Sequence, residues 1–177
     1  MRLRRELQHL KTHFELFGLA PAFAVDTVRL DEAYRRIQAE VHPDRYAGAG
    51  DAERRASMQM TTQVNEAYRT LKNPVRRATY LLGLQGVDAG FETDTAMPAD
   101  FLLRQIELRE ELEAALDARA LDALGDRLAG ERRAIEAELR TRIDADRDYA
   151  AARSLVRELI FFERLAEEVD AAYDRVN

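Results

Sequence analysis

Apolar residues recur every three or four positions along most of this chain, and nowhere do they alternate over the length of a strand. That spacing gathers them on one face of a helix, whereas a half-buried strand needs a period of two. The pattern therefore predicts an all-α fold. Leu30, Ala33, Tyr34, Ile37 and Val41 line one side of 27–41, and Asp26 stands where an N-cap belongs. Met60, Val64, Ala67, Tyr68 and Leu71 line one side of 52–72. Leu121, Leu124, Leu128, Ile135, Leu139 and Ile143 stripe 120–144; Leu155, Leu159, Phe162, Val169, Tyr173 and Val176 stripe 148–176. A short helix is expected over 13–18. There Thr12 and Glu15 have capping-box spacing, and Phe14 and Phe17 share a face. Another helix follows Pro74, with Tyr80, Leu81, Leu82 and Leu84 able to pack back onto its predecessors. A last one, 99–117, follows Pro98.

The breaks between these segments set the organisation. Pro43 cannot continue a helix, so 27–41 stops at His42. Gly48 and Gly50 loosen the connection that follows. Two long helices with facing stripes and one loop make an antiparallel hairpin. The segment QGVDAGFETDTAMP, rich in glycine and acid, reads as a linker over 85–97. The expected layout is an N-terminal domain over 1–84, that linker, and an up-down-up three-helix bundle over 98–177. Gly125 and Gly130 each weaken the 120–144 helix by about 1 kcal/mol relative to alanine, for no reason visible in the sequence.

Composition removes several classes of function. The chain has no cysteine, which rules out disulfides, thiolate-held iron–sulfur clusters and cysteine zinc sites. His9 and His13 stand at i, i+4, but no third ligand accompanies them, so no metal site is expected. No segment has the roughly 18 apolar residues that a membrane span needs. The opening MRLRRELQHLK is charged and lacks an apolar signal core, so a cytoplasmic location is expected. Residues 1–80 hold 14 basic and 10 acidic side chains, net +4; residues 81–177 hold 13 and 23, net −10. A net charge of −6, with no basic stripe interleaved with aromatics, argues against nucleic acid. No paired carboxylates, phosphate loop or nucleophile–base set suggests an enzyme.

One tripeptide does carry a signal. His42-Pro43-Asp44 sits where the hairpin turns. A catalytic base oriented by Asp44 would need a nucleophile nearby, and none lies close in sequence. The surroundings are more informative. FELFGL precedes the tripeptide, HPDRY contains it, and QVNEAYRTLKNPVRRATY closes the second helix. Together these resemble a J domain over about 13–80. The resemblance implies that His42, Pro43 and Asp44 dock onto a DnaK-type chaperone ATPase and stimulate it. It implies basic contacts from Arg35, Arg36 and Arg45. Their chemistry suits the role: a carboxylate can accept two hydrogen bonds from a partner arginine, and arginines steer encounter with an acidic surface.

The second half extends the resemblance. FLLRQIELREELEAAL at 101–116, VRELIFFERL at 156–165 and RATYLL at 77–82 are similar to the HscB family of J-domain co-chaperones, of the bacterial type that lacks an N-terminal cysteine module. On a helical wheel Phe101, Leu108, Leu112 and Leu116 form the expected core face of 99–117. Leu102, Leu103 and Ile106 fall on another side, with Glu107 and Glu110 beside them. A bundle helix needs only one apolar stripe, so the second marks either extra packing or a partner site. Phe161 likewise falls away from the stripe of its own helix. Membership of this family implies that Leu102, Leu103, Ile106, Glu107, Glu110 and Phe161 bind an IscU-type iron–sulfur scaffold, with no cofactor and no catalytic site. Ala114 departs from the family, whose members can carry an acid there, and that contact is expected to be weak. A general J-domain co-chaperone for another client, and a self-associating helical bundle, remain alternatives.

Overall fold

A computed structural model describes residues 12–46, 48–89 and 99–176. The segments 1–11 and 90–98, which hold His9 and most of the expected linker, lie outside the described residues. Among those described, the elements are all helical: α1 (His13–Phe17), α2 (Thr27–Val41), α3 (Asp51–Lys72), α4 (Pro74–Leu84), α5 (Ala99–Ala114), α6 (Ala118–Arg140) and α7 (Tyr149–Val176). A 3-10 turn, Pro43–Tyr46, follows α2, and a π turn, Thr141–Ala145, follows α6. The chain divides into two compact units, one ending at Leu81 and the other beginning at Leu82.

The first unit is built on the α2–α3 hairpin. Leu30, Ala33, Ile37 and Val41 are buried with Met60, Val64, Ala67 and Leu71. Each large aliphatic so buried is worth roughly 1.5–3 kcal/mol. Asp26 caps α2 as expected, its carboxylate accepting the N–H groups of Val28 and Arg29. In α1 the capping box is complete: the Glu15 N–H donates to Thr12 Oγ1, and the Thr12 N–H donates to Glu15 Oε2. Gly18 ends α1 at φ 66°, a left-handed conformation that glycine adopts without strain.

A polar layer bridges the hairpin. The rings of Tyr34 and Tyr68 stack at 4.0 Å; Tyr34 donates to Asn65, Tyr68 donates to Asp31, and Lys72 reaches Asp31 at 2.7 Å. This is where Asn65 and Tyr68 of the Asn-Glu-Ala-Tyr motif are used. The Lys72 ammonium, with the Tyr68 hydroxyl, holds the Asp31 carboxyl below its ordinary pKa. Arg77 is buried, its guanidinium 2.6 Å from the Leu71 carbonyl and 5.0 Å over the Phe23 ring.

In the second unit α6 packs chiefly against α7, and α5 touches both. All six residues of the stripe expected over 120–144, Leu121 to Ile143, are buried, five in α6 and Ile143 in the π turn that follows. Ion pairs fasten α5 on either side: Arg104–Glu131 at 3.0 Å and Glu111–Arg127 to α6, and Arg109–Glu168 at 3.8 Å to α7.

Three expectations need correction. The helix expected over 99–117 ends at Ala114, because Asp117 takes an extended backbone and caps α6 by accepting the Ala120 N–H. Leu116, placed on the core face by the wheel, therefore leaves the helix and is 85% exposed. Leu84, expected to pack back onto the hairpin, is exposed as well. The run expected over 120–144 begins two residues earlier and widens at Thr141, where the Asp146 N–H reaches back to the Thr141 carbonyl.

Candidate functional site

The first site is the turn after α2. Pro43 has no N–H, so the Ala39 carbonyl loses its helical partner. The Asp44 N–H points instead at His42 Nδ1 (3.3 Å), and the Arg45 N–H at the His42 carbonyl (3.1 Å). The carbonyls of Glu40 and Val41 are thereby orphaned too. Side chains serve all three. Arg45 Nη1 donates to Ala39 (3.3 Å) and the Tyr46 hydroxyl to Glu40 (3.4 Å). Ser57 and Thr61, from α3, both donate to Val41, at 2.6 and 3.0 Å. The result is a fixed turn with an outward face: the Asp44 side chain is 90% exposed, and His42 Nδ1 lies 3.5 Å from its carboxylate.

Arg45 belongs to this turn, and its guanidinium caps α2 while the residue stays exposed. Arg35 and Arg36 are exposed on α2. They lie roughly 9–11 Å along the helix axis from His42, given 1.5 Å per residue. Ser57 and Thr61 escaped the sequence reading. The available signal was a hydroxyl pair at i, i+4 in phase with the apolar stripe of α3.

The second site is the outer face of α5. Leu102, Leu103 and Ile106 are 45, 63 and 54% exposed, in contrast to the buried Phe101, Leu108 and Leu112 on the opposite stripe. Glu107 and Glu110 are exposed beside them, and Glu107 is 3.3 Å from Arg104. Phe161 differs from the rest: it is only 8% exposed, edge-on to Phe101 at 5.6 Å and to Phe162 at 5.4 Å. The Arg109 guanidinium lies 5.9 Å over its ring and links to Glu168. Phe161 is thus a packed aromatic between α5 and α7 rather than an exposed one.

The comparisons with known proteins follow the same two-part division. Residues 12–80 match the DnaJ domain, and residues 97–170 match the HSCB C-terminal oligomerisation domain. Over 168 residues the chain is 52% identical to the co-chaperone protein HscB homolog of Burkholderia multivorans, covering 93% of this chain and 95% of that one. The chain belongs to the HscB co-chaperone family. The fold of chaperone HscB from Vibrio cholerae is similar, with a TM-score of 0.83 at 37% identity, covering 94% of this chain and 99% of that one. Human co-chaperone HscB gives a TM-score of 0.87 at 27% identity, covering 92% of this chain and 82% of the human one. HscB family membership makes this chain a J-domain co-chaperone rather than a member of an enzyme class. Among the described residues no helix is long and apolar enough to cross a membrane.

Proposed function

We propose that this chain is a delivery adaptor between an IscU-type iron–sulfur scaffold and a DnaK/HscA-type chaperone. In this reading 1–84 is the J domain, 85–97 the linker and 98–177 the scaffold-binding domain. His42, Pro43 and Asp44 engage the chaperone, with Arg35, Arg36 and Arg45 as basic contacts, and the engagement stimulates ATP hydrolysis in the partner. Leu102, Leu103, Ile106, Glu107 and Glu110 take the scaffold, and Phe161 supports that face from beneath. A cytoplasmic setting goes with both partners. The chain itself supplies no catalytic group and no cofactor.

The observation that carries the reading is the turn itself. Its backbone needs are met internally, and the Asp44 side chain stays 90% exposed, accessible to a partner arginine; such pairs are frequently bidentate. A preorganised turn loses little conformational freedom on binding. The exposed aliphatics on α5 support the second half of the reading, since burying each against a partner is worth roughly 1.5–3 kcal/mol.

Replacing His42 with glutamine tests it. The variant is expected to lose stimulation of a purified DnaK-type ATPase while still binding scaffold in a pull-down. Stimulation equal to that of the wild type refutes the docking role.

A further inference from the structure

The four side chains that cap α2 are not equivalent. Arg45 and Tyr46 come from the turn, so they move with it and cannot tell it where to point. Ser57 and Thr61 come from α3 and grip the carbonyl immediately before His42. Two donors on one carbonyl use both of its lone pairs. Ser57 is buried at the end of an otherwise apolar stripe, where a hydroxyl without a partner would be costly. With the Arg45 N–H already given to His42, no backbone donor takes their place.

We infer that Ser57 and Thr61 are positioning residues, which orient the His42-Pro43-Asp44 turn for its partner by tying the end of α2 to α3. This rests on the adaptor reading and deepens it. The pair acts through Val41, one residue before the tripeptide, and neither hydroxyl is needed to touch the chaperone. Without the pair the Val41 carbonyl turns to water, and the backbone between Val41 and Pro43 gains freedom. Asp44 then samples directions that do not dock.

The full-length chain carrying Ser57→Ala with Thr61→Val tests this, set beside Ser57→Thr with Thr61→Ser, which keeps both hydroxyls. Stimulation of a purified DnaK-type ATPase is titrated to separate the half-maximal concentration from the maximal rate. Hydrogen exchange of the Arg45 amide reports the turn directly, and circular dichroism reports the fold. The hydroxyl-free variant is expected to stay helical, to exchange the Arg45 amide faster, and to need about fivefold or more co-chaperone for half-maximal stimulation. The hydroxyl-keeping variant is expected within about twofold of wild type on both readouts. Should the hydroxyl-free pair melt, Thr61→Val alone, at a half-buried position, is expected to show the same two changes in smaller measure. A folded variant with wild-type titration or exchange overturns the inference, as does a loss that the hydroxyl-keeping variant shares. A wild-type chain without any stimulation refutes the adaptor reading and the inference together.

Discussion

At the residue scale, the turn shows how one proline recruits its own support. Pro43 costs α2 a hydrogen bond, and its successors spend their amides on His42, so the helix end depends on side chains. Stability at the other end of the J domain is expected to depend on pH through His13. Its ring stacks on Tyr80 at 4.2 Å, Nδ1 has no hydrogen-bond partner among the described residues, and burial lowers its pKa against a smaller opposing pull from Glu66. A histidine with a lowered native pKa favours the fold above its unfolded value of about 6.5, and stability falls as pH drops through that value. The thermal midpoint is therefore expected to fall between pH 7.5 and 5.5, and His13→Phe, which keeps the stack, is expected to flatten that part of the curve. An unchanged profile would contradict the assignment. Asp31 has the same sign in a more acidic window: its native pKa is lowered, so its contribution is present above the ordinary carboxylate range and lost as pH falls further.

At the element scale, α2 and α3 were legible because each has one apolar stripe and one clear start or stop. The caps Thr12 and Asp26 were readable for the same reason, since a cap is a local pattern. The end of α5 was not. Leu116 continues the wheel, and only the capping of α6 by Asp117 shows that the helix has stopped before it. The second stripe of α5 can be seen in sequence, and its exposure of 45–63% sets it apart from the buried stripe of Phe101, Leu108 and Leu112. Replacing Leu102, Leu103 and Ile106 together with alanine is expected to weaken scaffold binding by about 2 kcal/mol or more. As exposed changes they should leave folding nearly untouched, at about 0.5 kcal/mol or less each. Loss of the bundle's thermal transition would mean that they are core. The glycines of α6 have no structural reason among the described residues, where a methyl at Gly125 meets nothing within 4 Å and one at Gly130 meets the tip of Arg133 at 3.9 Å. Gly125→Ala and Gly130→Ala are each expected to stabilise the chain by up to about 1 kcal/mol, read by denaturant midpoint.

At the scale of the whole molecule, the chain joins a J domain to a helical bundle in a pattern shared with HscB co-chaperones over nearly its full length. The class of fold could be read from helical spacing, and the family from motifs in both halves. What sequence did not expose was how the pieces are held: the hydroxyl pair on Val41, the buried Arg77, and the arginine laid over Phe161 all join residues far apart in the chain or hidden by their charge. The uneven charge, +4 before residue 81 and −10 from it, suits two partners of different character. An adaptor differs from two independent binding modules in that loading one site alters what the other achieves. The decisive measurement is ATP turnover by a purified DnaK/HscA-type chaperone with this chain alone, with an IscU-type scaffold alone, and with both. The pair is expected to raise turnover well beyond the sum of the separate effects, and His42→Gln is expected to remove this gain. A merely additive response, or a gain that survives His42→Gln, would contradict the adaptor reading.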